Sequence, residues 1–393
     1  MEKMKSAKQK FVRLTAVISR IIVGAVFIFS GFVKAVDPLG SNYKFIDYFD
    51  AFNMPWLNTF ALLLAFILSG LEFLIGVCLF FSIQNKLANW GALLFMLVFT
   101  PLTLWLALTN PVHDCGCFGD AVILTNWQTF YKNIFILILV IISFLYRKKF
   151  KAWLRPKTGW IIIGAVAIFI TVFSYYNLEH LPVIDFRPYK TGTYIPDKMI
   201  IPKDAPADEY EQYFTLLDTV AGKEITVESK IYTKDSTYWG KTSKYKYLSS
   251  SEPCLLKQGY VPPIHDFSII SLAGDDITDA VLTDTSYYFL LVAYDINKSR
   301  TDNQMLINDI YNQAIKDGNK FICMTSSSET EINSFKQANN ARYECYLTDP
   351  ITLKTIVRAN PGLVLLHKGT ILAKWHSNDI PAYDEIKKLY LTK

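Results

Sequence analysis

Charge is scarce in this chain. Only 19% of its 393 residues are Asp, Glu, Lys or Arg, while 51% are hydrophobic and the mean hydropathy is positive, which argues against a wholly soluble protein. There is no internal repeat, no low-complexity tract and no Gly-rich phosphate loop, so solenoid arrays and the common nucleotide-binding signatures are excluded. Histidine is limited to five residues, of which His265, His367 and His376 have no metal-like spacing and read as structural or surface groups. The net charge of +5 is modest, and no nucleic-acid partner is expected. Cysteine is limited to six, and two of those stand one residue apart. The length allows two or three domains.

The excess of apolar residues falls almost entirely before Tyr176. Five runs, near residues 14–33, 57–83, 87–108, 130–146 and 160–176, are long enough to cross a bilayer as helices. The first follows a basic leader, as a signal peptide would. Its length and the lack of a small-residue cleavage site favour a retained helix. Lys3, Lys5, Lys8, Lys10 and Arg13 precede the first run, and Arg147, Lys148, Lys149, Lys151, Arg155 and Lys157 follow the fourth. Both basic segments are expected on the cytoplasmic side. The loop near 34–56, the loop near 113–120 and everything after Tyr176 then face outward. Arg20 and Glu72 are charges inside apolar runs, where a partner is the usual remedy, and the two are expected to approach each other. Alternatively Arg20 snorkels to the inner headgroups, and Glu72 fixes helix packing or takes part in proton or quinone chemistry.

The outward loop His113-Asp114-Cys115-Gly116-Cys117-Phe118-Gly119-Asp120 is the candidate reactive segment. Cysteines outside a bacterial-type membrane meet an oxidising compartment. A ring closed across one residue is tight, and glycine between the sulfurs removes the side chain that would clash. A strained disulfide exchanges readily, which suits a relay. His113 would favour a thiolate and Asp114 and Asp120 would oppose it, so the sequence marks neither sulfur as the nucleophile. Two other readings stand beside the redox dithiol. His113, Cys115 and Cys117 would suit copper or zinc, although the spacing is tighter than Cys-x-x-Cys. The segment also reads as a turn with buried thiols. Phe118 and Trp127 are expected as interfacial anchors.

Beyond the apolar region, residues 177–260 have a Pro-rich start (Pro182, Pro188, Pro196, Pro202) and alternating stretches such as 225–232 that suggest short strands. From Val261 the pattern becomes regular. Strands are predicted at 287–294, 320–324, 342–347, 363–367 and 370–375. Helices are predicted at 302–316, 329–338, 350–357 and 383–391. That order makes a mixed sheet flanked by helices. Cys323 and Cys345 fall in predicted neighbouring strands, as buried core thiols.

Three sets of residues carry resemblances. Arg20-Ile21-Ile22-Val23-Gly24, then Phe29-Ser30-Gly31-Phe32-Val33-Lys34 and Asp37-Pro38, with Glu72-Phe73-Leu74-Ile75-Gly76, resemble the DoxX family of membrane proteins. Cys115-Gly116-Cys117-Phe118-Gly119 resembles the MauE branch, a redox-associated protein of methylamine utilisation. This likeness covers about residues 13–147. Pro262-Pro263-Ile264-His265-Asp266-Phe267 and Ala359-Asn360-Pro361 are similar to a thioredoxin-like domain of the TlpA type, in which the proline matching Pro361 is cis and lies beside the active-site cysteines. Here the chain departs from the family: after the 287–294 strand it reads Asp295-Ile296-Asn297-Lys298-Ser299-Arg300-Thr301, with no cysteine. Family-type dithiol exchange in that domain is thereby excluded.

The expected architecture is a membrane α-helical bundle, a four-helix DoxX/MauE-like core over residues 1–147. A basic loop and fifth membrane helix follow at 148–176, a β-rich connector at 177–260 and an extracytoplasmic α/β thioredoxin-like domain at 261–393. The expected setting is the bacterial inner membrane, with the C-terminal domain in the periplasm and lipid as a partner. The implied function is thiol–disulfide exchange at Cys115 and Cys117, drawing on a periplasmic thiol protein and linked to quinone. The alternative is a non-catalytic assembly factor whose outer domain docks a client. Small-solute transport rests on Arg20 and Glu72 alone.

Overall fold

The structure, a computed structural model, describes residues 2–112, 114–150, 154–257 and 259–391. Its first helix, α1 (Glu2–Val36), breaks at Asp37, whose carboxylate accepts a hydrogen bond from Gly40 N at 2.8 Å and so caps α2 (Pro38–Ala51). Then come α3 (Ala61–Phe80), α4 (Asn85–Thr109), α5 (Asn126–Tyr146) and α6 (Pro156–Glu179). Five stretches, in α1, α3 with its lead-in from Pro55, α4, α5 and α6, are long and apolar enough to cross a membrane. Their outward faces carry exposed Leu, Ile and Phe, such as Leu63, Ile67, Leu94 and Phe135, which water would not tolerate and lipid does.

Glycine sets how α1 and α3 cross. A Cβ on Gly24 would lie 2.7 Å from Phe80 N, one on Gly31 2.5 Å from Phe73 N, and one on Gly76 2.5 Å from Ile28 N. The two backbones therefore touch, the small-residue packing by which membrane helices associate. The same bundle sets Lys34 beside Glu72 near one end of α1 and Arg20 beside Asn85 toward the other.

Residues Tyr194–Phe267 form a compact unit of their own. A short helix, α7 (Ile195–Met199), leads into it, and β1 (Glu209–Glu211) pairs antiparallel with β5 (Cys254–Lys257). β2 (Tyr213–Asp218) is the middle strand of an antiparallel sheet between β3 (Lys223–Glu228) and β4 (Tyr245–Ser250), with Leu216 at its buried centre. The alternating stretch 225–232 divides: Glu228 pairs with Tyr213, the first residue of β2, and with no partner strand beyond it the chain turns into α8 (Ser229–Lys234).

From Ser268 the chain builds an α/β region in the same compact unit as the helices. A short helix, α9 (Thr278–Thr283), precedes β6 (Tyr287–Val292), α10 (Gln304–Lys316), β7 (Lys320–Thr325) and α11 (Glu329–Asn339). These are followed by β8 (Glu344–Leu347), α12 (Pro350–Ile356), β9 (Gly362–His367), β10 (Thr370–His376) and α13 (Tyr383–Ile386). The sheet order is β10-β9-β6-β7-β8, with β6, β7 and β8 parallel and the β9–β10 hairpin antiparallel. β6 is the middle strand, and its last four residues are buried, as a run covered on both faces requires. α10 buries Ile307, Ile310 and Ala314, one helical stripe. Ser328 and Glu331 form a capping box on α11, and Asp349 caps α12. Phe289, Leu291, Leu363, Leu365, Tyr343 and Tyr383 fill the core. The Asn360–Pro361 bond, leading into β9, is cis. The predicted last helix, 383–391, is α-helical only to Ile386 and widens to a π-turn over Lys387–Leu391.

Candidate functional site

The Cys115-Gly116-Cys117 turn is tied down on three sides. Gly116 takes φ +65°, a left-handed conformation that glycine adopts without penalty. Asp114 accepts from Gly116 N at 2.8 Å and from Lys44 Nζ at 2.8 Å. The Tyr48 hydroxyl donates to Cys115 O and the Ser30 hydroxyl to Cys117 O, each at 2.6 Å. Thus α1 and α2 together grip both cysteine carbonyls. Phe118 packs its ring edge-on against Phe29, 5.4 Å between centroids, under the Lys132 ammonium at 4.2 Å. Expected at the interface, it instead closes the wall of the site, because the turn folds inward onto α1.

The two sulfurs are free thiols 2.9 Å apart. Their surroundings separate them. The hydrogen bond from Cys115 stabilises a Cys117 thiolate; burial opposes this, the charges of Lys132 and Lys34 add to it, and the thiol comes down to about 6. Giving that bond and being buried push Cys115 well up. Cys117 is therefore the thiolate-prone sulfur, a distinction that rests first on the hydrogen bond between the two sulfurs, with the charges of Lys132 and Lys34 adding to it.

Beside the turn lies a cavity of about 260 Å³, walled by Phe27, Phe45, Phe95, Met96, Phe99 and Ile136. Its polar lining is gathered around the turn: Cys115, Cys117, Ser30, Lys34, Glu72, Lys132 and Asn133. Val98, 63% exposed on the outer side of α4, also lines it, so the cavity reaches the face that meets lipid.

Glu72 is 4% exposed and its partner is Lys34, Nζ to Oε2 2.5 Å, rather than Arg20. Arg20 and Lys34 are separated by roughly 20 Å of α1 at 1.5 Å per residue. Arg20 instead donates to Asn85 Oδ1 at 3.4 Å and lies over the Phe150 ring, 5.1 Å from its centroid. Lys34 also donates to Ser30 Oγ at 2.9 Å, so the buried charge pair is linked through one hydroxyl to the Cys117 carbonyl. The sequence signal was present in Lys34, the one charged residue in the second half of the apolar stretch Lys10–Val36.

A second polar group holds the α/β region against the turn. Arg358, only 7% exposed at its side chain, sets Nη2 2.9 Å from Asp37 Oδ2 and 3.0 Å from Asp120 Oδ2. Its Nη1 also donates to Lys354 O. Burial pushes the Asp37 carboxyl up, but the Arg358 and Arg187 charges with two hydrogen bonds outweigh it and hold the group below its usual range. Asp120 goes the other way, because burial dominates there. Arg187 donates to Thr355 O at 3.2 Å and Lys374 to Ile356 O at 3.0 Å, and both pair with Asp185. Three buried cations thus fix the segment that leads to Pro361. Nothing in the sequence joined these residues, because their partners are far along the chain.

The remaining expected residues fall out as follows. His113 lies outside the described residues. Pro361 follows the Arg358 segment. Cys323 and Cys345 are register partners on β7 and β8, buried and free. The chain after β6 forms a 3₁₀ turn at Ile296–Lys298, and the segment 295–301 holds no cysteine. Among the described residues no three His, Cys, Asp or Glu side chains converge on a metal-sized site.

Residues 12–146 match the family model described as "Methylamine utilisation protein MauE". No curated protein matches the chain. Among solved structures, the chain is similar to one described as a protein disulfide isomerase from Bacteroides thetaiotaomicron, determined in solution. The similarity is at 16% identity over 28% of this chain and 73% of that one, with a TM-score of 0.23. Five apolar helices and the family match together make this a multi-pass membrane protein.

Proposed function

We propose that the chain is a membrane thiol oxidoreductase of the bacterial inner membrane, with Cys115 and Cys117 as its redox pair on the outer face. The carrying observation is the placement of both sulfurs in the wall of an apolar cavity that opens toward lipid. The basic residues Lys3 to Arg13 at the start of α1 and those after α5 support a cytoplasmic place for those ends, and with it a periplasmic turn and α/β region. In the first half-reaction a periplasmic dithiol protein reduces the Cys115–Cys117 disulfide: its thiolate attacks one sulfur, a mixed disulfide forms, and its second thiol resolves it. In the second, the dithiol passes two electrons and two protons to a quinone seated in the cavity, and the S–S bond re-forms. Cys117, the sulfur favouring thiolate, begins the second half-reaction. The α/β region takes the thioredoxin-like reading without its thiols, and it serves to bind and orient the client. Reduction of a soluble short-chain benzoquinone by dithiothreitol, catalysed by the full chain in detergent, tests this; Cys115→Ser and Cys117→Ser should each abolish catalysis above the uncatalysed background.

A non-catalytic assembly factor is the second reading, favoured by the Asp295–Lys298 turn where a thioredoxin dithiol would stand. It requires client assembly to survive both serine substitutions.

A further inference from the structure

The turn is held by Tyr48, Lys44, Ser30 and Asp114, and the helices are held by glycine contact, so neither accounts for a charge pair buried in the bundle. Removing two charges from water is costly unless their geometry is good, and such a pair inside a membrane marks chemistry more often than packing. Lys34 Nζ stands 2.5 Å from Glu72 Oε2 and 2.9 Å from Ser30 Oγ. An ammonium has three donors. Two are used by these bonds, and no third partner occurs among the described residues. Both Lys34 and Glu72 line the cavity that Cys115 and Cys117 also line.

We propose that Lys34 is the proton donor to the electron acceptor bound in this cavity, with Glu72 and Ser30 as the residues that position it. The inference rests on the reading of Cys115 and Cys117 as a quinone-linked dithiol. The balance is closed. Oxidation breaks two S–H bonds, forms one S–S bond and releases two electrons and two protons. The quinone takes both electrons and becomes the quinol. One carbonyl oxygen receives its proton from the Lys34 ammonium, and the transient neutral amine is restored by a solvent proton, the equivalent of the one Cys117 gave up on ionising. The other oxygen receives the Cys115 proton. Glu72 stays ionised throughout and keeps the ammonium beside the turn. A lysine suits this task because its ammonium can lose a proton when desolvated, whereas a guanidinium does not deprotonate in a protein.

That difference supplies the test. Lys34→Arg keeps the positive charge and removes the transferable proton. In the full chain in detergent, with dithiothreitol as donor and a short-chain benzoquinone as acceptor, Lys34→Arg should lower turnover at least ten-fold. Its Cys117 should still alkylate with the wild-type pH midpoint, since the charge is retained. Lys34→Met should lose the turnover and also raise that midpoint. Glu72→Gln should fall between. Turnover of Lys34→Arg at the wild-type rate overturns the proton-donor role. If thermal unfolding shows that the arginine variant misfolds, Lys34→Ala with added ethylamine replaces it. Recovery of turnover in proportion to the amine supports the role, and no recovery overturns it. Failure of the underlying reading looks different: Cys117→Ser would then reduce the quinone as fast as wild type, or the wild-type chain would not reduce it at all.

Discussion

Arg358 closes on Asp37 from 321 residues away in sequence, Nε to Oδ2 2.9 Å, where α1 ends. The same guanidinium reaches Asp120, three residues past Cys117. One buried cation therefore joins the end of the first membrane helix, the reactive loop and the segment leading to the cis Pro361. The α/β region is thereby part of the structure that sets the loop.

Arg358→Ala leaves two carboxylates without their cation. Breaking a buried pair from one side costs about 3–5 kcal/mol, so the thermal unfolding transition in detergent should drop well below wild type and trypsin should cut the α/β region sooner. The double variant Asp37→Asn, Arg358→Met, which leaves Asp120 alone at a more exposed position, should lose less than the single one. Equal or greater loss would contradict a charge-based clamp.

Acid should loosen the same contact. Asp37 is held below its unfolded value, so its contribution is complete above about 4, the ordinary aspartate range, and is lost as pH falls through the lower folded value. Asp120, shifted up, contributes in the opposite sense. Opening of the 354–358 segment, read as hydrogen exchange relative to the intrinsic rate at each pH from 6 down to 3, should rise in wild type. The rise should be flatter in Asp37→Asn.

Alkylation should distinguish the sulfurs. Cys117 should react with iodoacetamide along a titration centred near 6, and Cys115 should stay silent until strongly alkaline pH. Cys115→Ala removes the hydrogen bond that is the largest cause of the shift, and the Cys117 midpoint should move up toward about 8.5, the ordinary thiol value. A Cys117 midpoint already near that value in the wild-type dithiol would contradict the assignment.

Gly116→Ala should strain the turn. Its φ of +65° disfavours a side chain, and a Cβ there would lie 3.0 Å from Lys44 Cγ. A non-glycine residue in this conformation costs roughly 1–2 kcal/mol. The Lys44–Asp114 contact should weaken and the dithiol should form its disulfide more slowly, as read by the mass shift after alkylation. Tyr48→Phe, which removes one hydrogen bond, should cost about 1 kcal/mol.

Much of the fold was legible because its signals are local. The apolar run at 287–294 and the helical spacing over 302–316 each announce an element within a few residues, and they appear as Tyr287–Val292 and Gln304–Lys316. The apolar runs behave the same way, their length being their signal. The Cys115-Gly116-Cys117 turn was visible as a motif, yet its two sulfurs could not be told apart, since the hydrogen bond between them depends on how the turn folds and the added charges of Lys132 and Lys34 arrive from other helices. The pairing of Glu72 was misread for a related reason. Both Arg20 and Lys34 lie on α1, and the choice between them depends on where Gly24 and Gly31 let α3 cross. That Asp37 and Asp120 would meet Arg358 had no local sign, because Arg358 lies more than 200 residues along the chain from both.

The most direct test is the state of Cys115 and Cys117 in intact bacterial membranes, trapped by alkylation before and after reduction and read by mass spectrometry, with the quinone pool set oxidised or reduced. The pair should be a disulfide when the pool is oxidised and a dithiol when it is reduced. Thiols that remain free in both states would contradict the account.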